Sequence, residues 1–401
     1  MEKKGLSLCA KSWIAFALFV VIFGGLAAIA SFFDLSISQL LTKISLDPAA
    51  LGANGEYISH SGFALFFEAM GSAPIYLMGA ICGLIWFWAA WRKGGKWRIA
   101  AGFAAVVPVA CLTLVFKDAF GYVAEYVGAQ LGDDGLYVIK THEAAGSIYI
   151  LGISFVFGLF GAAGALLAWQ KIKPETNDRM VRWTFAIIVA AVFYLIINFV
   201  KSPVGRVRYR TMNYLNDFSY YTPWYVANGK RVLTPDGIVA ATKEAKEAAI
   251  LASDTCKSFP SGHTFSAGMV YTLLALPYLD EKLNRKGIKL TLWILTICFT
   301  AVVAISRIVA GAHFMSDVLF GGTIAFLGAI IGREIFVCKG SHFKAMFGIK
   351  DKAPEAKEEQ PEAKEEEPAQ APADEPIEAE QEPEQEVEQE AIPEEPQPEQ
   401  A

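Results

Sequence analysis

The sequence predicts an all-α fold: a polytopic membrane helix bundle of about eight transmembrane helices, followed by a disordered acidic C-terminal tail. Three observations predict it. The 401 residues are 54% hydrophobic and 13% aromatic, too apolar for a water-soluble chain of this length. Eight runs approach or reach the ~20 apolar residues that a bilayer-spanning helix needs; they cover residues 12–33, 72–91, 99–116, 147–169, 183–200, 264–279, 290–306 and 316–337. The charge is also divided along the chain. Residues 351–401 hold 20 acidic and 3 basic side chains, a net −17, whereas the other 350 residues hold 21 acidic and 32 basic, a net +11. The overall net charge of −6 is therefore no guide to partners.

Taken in order, the first run follows Lys3, Lys4 and Lys11 and contains Ala28-Ile29-Ala30, which looks like a signal cleavage site. Its apolar stretch of about 21 residues exceeds the ~7–15 of a signal core, so it is read as a retained anchor. Basic residues crowd the links after the second, fourth and sixth runs: Arg92, Lys93, Lys96 and Arg98; Lys171, Lys173, Arg179 and Arg182; Lys282, Arg285, Lys286 and Lys289. If all eight runs cross, these links and the N-terminal lysines share one side, which the positive-inside rule makes cytoplasmic. Both termini are then cytoplasmic, and the 201–263 loop and the 307–315 turn lie outside.

The tail from about residue 351 is Glu, Pro, Gln and Ala with almost no large apolar side chain, a composition that cannot bury enough surface to fold. Cys9, Cys82, Cys111, Cys256, Cys298 and Cys338 show neither CxxC nor metal-type spacing and are read as unpaired thiols. Glu68-Ala-Met-Gly-Ser and Glu143-Ala-Ala-Gly-Ser form a faint internal echo, each preceding an apolar run. The expected organisation is an N-terminal membrane segment over 1–146, a core bundle over 147–337 carrying the outer loop, and an acidic cytoplasmic tail over 338–401.

Three polar clusters stand where apolar runs meet the outer face, and ionisable groups at such places are costly enough to imply function. Lys201-Ser-Pro-Val-Gly-Arg-Val-Arg208 follows the fifth run. Lys201 and Arg208 are seven residues apart, which a continued helix would place on one face, although Pro203 and Gly205 argue against a regular helix. Cations on the outer side point to an anionic ligand. Ser258-Phe-Pro260-Ser261-Gly262-His263-Thr264 opens the sixth run. Pro and Ser there mark a helix start, whose free amides and positive dipole end suit phosphate. Gly262 permits close backbone approach, and His263 stands ready to donate a proton. Ser306-Arg307, then His313 and Asp317, close the seventh run. His313 and Asp317 are i and i+4, so the carboxylate is placed to hold one imidazole nitrogen and leave the other nucleophilic. Arg307 supplies a planar fork for phosphate oxygens.

In this order and spacing the three clusters resemble the type-2 phosphatidic acid phosphatase superfamily, whose signature is K-x6-RP, PSGH and SR-x5-H-x3-D. The resemblance covers about residues 147–337. It departs from the pattern at Tyr209, where the family usually has Pro. The family's usual body has six spans with the first motif after the third; here that motif follows the fifth run, so the first two runs are additional and their role is open.

The resemblance implies a lipid phosphate or lipid diphosphate phosphatase. His313 would attack phosphorus, Asp317 would orient it, and His263 would protonate the leaving oxygen. Lys201, Arg208, Ser261, Gly262 and Arg307 would hold the phosphoryl group. No HExxH, Asp-rich metal motif or Walker-type loop is present, so no metal and no cofactor are expected. The expected partners are a lipid phosphate and the bilayer, with no nucleic acid; the sequence leaves the oligomeric state open. Three alternatives remain at this stage: a lipid phosphotransferase using the same site, a non-catalytic lipid-binding or transport protein, and a vanadate-bound oxidase. Tyr214, Tyr220, Tyr221, Trp224 and Tyr225 form either a rim that receives a lipid head group or an interfacial belt. Residues 241–252 should form a short helix.

Overall fold

The computed structural model describes residues 6–43, 62–130, 148–249 and 255–349. Residues 350–401 of the expected tail and Glu143 of the internal echo lie outside the described residues, whereas 338–349, which the expected tail included, are described and hold a short helix; the described residues all belong to one compact unit, Met1–Asp351. Twelve α-helices are present among the described residues. They are α1 (Leu8–Lys43), α2 (Gly62–Lys93), α3 (Trp97–Gln130), α4 (Ile148–Trp169), α5 (Pro174–Val192), α6 (Tyr194–Val204), α7 (Tyr209–Leu215), α8 (Lys243–Glu247), α9 (Gly262–Gly268), α10 (Lys286–Val309), α11 (Met315–Phe336) and α12 (Ser341–Met346). A short antiparallel ribbon, β1 (Arg231–Thr234) with β2 (Gly237–Ala240), stands in the loop before α9, with Arg231 opposite Ala240 and Thr234 opposite Gly237.

Seven spans among the described residues are long and apolar enough to cross a membrane, with α5 and α6 counting as one that bends at Phe193. The remaining predicted run, 264–279, folds as α9 continued directly by a 3-10 helix over Met269–Tyr278. A 3-10 helix rises about 2.0 Å per residue against 1.5 Å for an α-helix, so the two together reach about 30 Å, comparable to the hydrocarbon core. Composition explains the long helices, but they outrun it. The apolar run at 12–33 sits in a 36-residue α1, and the run at 99–116 in a 34-residue α3.

The core lies between α2, α5, α9, the 3-10 helix and α11. Met78, Ile85, Trp183, Ile187, Phe265, Met269 and Ala325 are buried there. Helices in a membrane approach closely through small residues; here Gly328 and Gly332 of α11 lie against Ala190 and Ala186 of α5. Polar side chains link neighbouring helices. The Trp183 indole donates to Thr272 O at 2.9 Å, and the Trp86 indole donates to Thr184 Oγ1 at 2.6 Å. α2 packs on α3, α5, α9 and α10, and α1 packs on α10, α11 and α12, whereas α4 packs chiefly on α3.

The described residues of the 201–263 loop are structured. Lys201 still belongs to α6, which ends at Gly205 with φ +55°, a conformation that favours glycine. Residues 206–208 then run extended, so Lys201 and Arg208 do not share one helix. Arg208 precedes α7 and Tyr209 is its first residue. That is the helical position where a missing amide costs least, so proline is tolerated there but not required. The Tyr209 ring is buried 5.5 Å from Phe218. Of the run 241–252, the residues to 249 are described and contribute α8, capped by Thr242.

Candidate active site

The three clusters meet at one end of the bundle and are joined through their backbones. Arg208 N donates to Thr255 O at 3.1 Å, and Ser258 N donates to Arg206 O at 3.0 Å, binding the first cluster to the second. Ser261 N donates to Asp317 O at 2.9 Å, and Arg210 N donates to Gly311 O at 2.9 Å, binding both to the third. The α11 backbone passes so close at Gly321 that a side chain there would meet the Ser261 carbonyl.

His313 is buried. Its Nδ1 lies 2.6 Å from the Ser258 carbonyl oxygen and 3.7 Å from Asp317 Oδ2. The direct acceptor of its Nδ1–H is therefore a backbone carbonyl, with the i+4 carboxylate at ion-pair range. A proton held on Nδ1 leaves the Nε2 lone pair available. Asp317 Oδ2 accepts from the Ser258 hydroxyl and, at 2.8 Å, from Phe314 N, so Ser258 touches both the histidine and the carboxylate.

His263 opens α9, and its Nε2 lies 3.1 Å from the hydroxyl of Tyr122 on α3. The charges of Arg307, Glu68 and Lys201 reach His263, and those of Arg208 and Lys201 reach His313. Lys201 Nζ lies 3.6 Å from where a Cβ on Gly262 would stand. Ser261 is engaged as the α9 cap: its Oγ accepts the Thr264 amide at 3.3 Å and the Thr264 hydroxyl at 3.0 Å.

Arg307 is 1% exposed, and its Nη2 donates to Glu68 Oε1 at 2.7 Å. Its Nε and Nη1 are buried without a hydrogen-bond partner. Buried guanidinium groups are normally satisfied, so two open nitrogens on a cation whose charge reaches His263 mark a place for an anion.

Four residues that the motif analysis gave no role complete the arrangement. Arg206, fully buried, donates from Nη1 to Asp317 Oδ1 at 2.6 Å and from Nη2 to Asp34 Oδ2 at 2.9 Å. Asp34, on α1, also accepts from Ser316 N at 2.9 Å and from the Ser316 hydroxyl. Glu68 comes from α2 and Tyr122 from α3. The signal that points to Asp34 is positional: it is the first charged residue after the first apolar run.

The aromatic residues of the loop divide by task. Tyr221 packs on Phe314 at 5.5 Å, and the Trp224 indole donates to Ser31 Oγ at 3.0 Å while its ring lies 4.6 Å from Phe320. These two fasten the loop to α1 and α11. Tyr225 is 63% exposed.

At the other end of α11, Glu334, Cys338 and His342 place three potential metal-ligand atoms within 4.8 Å of one another. Arg333 already donates to Glu334 Oε1 at 2.7 Å and His342 Nδ1 lies 3.0 Å from it, so that carboxylate's charge is already matched.

Fold and site together define a polytopic membrane helix bundle with a buried, cation-lined two-histidine centre at one end. Residues 183–339 match the model of the PAP2 superfamily. An 83-residue segment is 34% identical to phosphatidylglycerophosphatase B of Bacillus subtilis (strain 168), covering 19% of this chain and 38% of that protein. The chain thus aligns with well under half of that relative's length. No solved structure matches at a significant level.

Proposed function

We propose that the protein is a lipid phosphate phosphatase that works through a phosphohistidine on His313, with its site facing away from the cytoplasm and no metal required. The observation that carries this is the half-open Arg307 fork, two buried unpartnered nitrogens on a cation whose charge reaches His263. In this mechanism His313 Nε2 attacks phosphorus, and the P–O bond to the lipid breaks. His263 gives its proton to the departing oxygen, and Lys201, Arg208 and Arg307 balance charge on the equatorial oxygens. Water then attacks the phosphohistidine, with His263 accepting a proton, and inorganic phosphate and the free imidazole are regenerated. The basic links between spans support the orientation.

The test is phosphate release by the purified full-length protein against phosphatidylglycerol phosphate, phosphatidate, a polyprenyl diphosphate and a lipid A phosphate. The first is prominent because of the relative's name. Release is expected from at least one of them, undiminished by a strong chelator and inhibited by orthovanadate, whose five-coordinate form mimics the transition state. A radiolabelled phosphoenzyme should be trapped in the wild type and absent from His313→Ala. Activity lost with chelator and restored by magnesium would contradict the charge clamp.

A further inference from the structure

The first helix sends a carboxylate into the catalytic cluster. Asp34 is 1% exposed, and a buried carboxylate persists only where donors surround it. It has three: the Ser316 amide, the Ser316 hydroxyl and Arg206 Nη2. Arg206 alone would be neutralised by Asp317, so a second carboxylate needs a further reason, and the geometry supplies one. The guanidinium is planar and rigid. With Nη2 held by Asp34 and Nε donating to Thr222 O at 2.9 Å, the direction of Nη1 is fixed, and Nη1 is the nitrogen that grips Asp317 Oδ1 at 2.6 Å. Asp34 also reaches Asp317 along the main chain, because Ser316 precedes it in the first turn of α11. Asp317 is thereby held from its side chain and from its backbone by one residue. Its other oxygen is bound by Ser258, whose carbonyl holds His313 Nδ1.

We propose that the first helix is a working part of the catalytic unit, and that Asp34 is a positioning residue for His313 acting through Arg206, Ser316 and Asp317. This rests on the phosphatase reading above. Asp34 never touches substrate; it sets the alignment of the nucleophile, and small misplacements of a reacting group lower rate far more than binding.

The experiment measures kcat and KM per folded molecule in detergent for the wild type, Asp34→Asn, Asp317→Asn and the double variant, on the lipid phosphate the wild type hydrolyses fastest. Asp34→Asn keeps the shape and loses the charge. It is expected to lower kcat by about 10- to 100-fold, the usual effect of losing an outer hydrogen-bond partner of a functional group. KM should stay within about twofold, because no substrate contact is removed. In the Asp317→Asn background the same change should cost less than about twofold, since the link it acts through is already broken.

Should Asp34→Asn fail to accumulate as folded protein, Ser316→Ala removes the connecting hydroxyl without stranding a charge, and it should lower kcat several-fold at unchanged KM. Full kcat in the folded single variants, or losses that multiply in the double variant, would overturn the proposal. So would lower thermal stability with kcat per folded molecule intact, which is the signature of a merely structural tie. An inactive wild type overturns the phosphatase reading and this one with it. An active wild type with unaffected variants overturns only the role of Asp34.

Discussion

His263 and His313 share a cation-rich site, and the fold uses a different ring nitrogen on each. Nδ1 of His313 is occupied by the Ser258 carbonyl at 2.6 Å, whereas Nε2 of His263 faces the Tyr122 hydroxyl at 3.1 Å. In the proposed mechanism that hydroxyl stands where a leaving oxygen would accept a proton. Help from a general acid grows with the basicity of the leaving group. His263→Ala should therefore slow phosphoenzyme formation severely with a lipid monophosphate, whose alkoxide departs poorly. The same variant should retain a larger share of that step with a diphosphate or a nitrophenyl phosphate. Single-turnover trapping is the measurement to use, because steady-state rates also include hydrolysis of the phosphohistidine. Equal slowing across the series would make His263 a phosphate ligand or a structural residue.

At the scale of elements, what the sequence revealed and what it hid have a common cause. The motif residues were legible because each sits at the edge of an apolar run, where a cation or histidine stands out. Glu68 and Tyr122 were not, because they stand several residues outside their apolar runs, and Asp34, though it borders the first run, is a lone acid that reads as the end of a span. Arg206 was visible but looked like one more cation in a basic stretch; only its two carboxylate partners, on α1 and α11, set it apart. The 3-10 geometry of 269–278 left no distinctive pattern either, whereas the ribbon at 231–240 did leave one, Pro235-Asp236-Gly237 between two short apolar runs. The second and third clusters are held together where α11 packs closely on the start of α9 at Gly321. Gly321→Val should separate the two helices, destabilise the protein by about 1–3 kcal/mol and lower kcat by about 100-fold. In contrast, a methyl on Gly322 meets the Thr264 and Thr300 methyls at 3.5 Å, an ordinary contact, so Gly322→Ala should keep near wild-type kcat. Equal turnover in the two variants would show that the α9–α11 contact does not set the site.

For the whole molecule, the seven long spans and the α9–3-10 segment alternate in direction, so every motif residue falls at the same end. The basic links fall at the other. The proposed orientation predicts that a membrane-impermeant thiol reagent, applied to intact cells, labels a cysteine introduced within 209–249. Labelling only after the membrane is broken would reverse the assignment. The charge network that closes this end has a consequence for the order in which the protein is made. Asp34 is 172 residues ahead of Arg206 and 282 ahead of Ser316. At about 5–20 residues per second, tens of seconds pass between synthesis of the carboxylate and of its last donor. Until Arg206 follows, the first helix carries an unmatched negative charge at the membrane edge. Arg206 brings the matching charge and α11 the remaining donors, so the nascent chain cannot close its centre until nearly the whole bundle has left the ribosome.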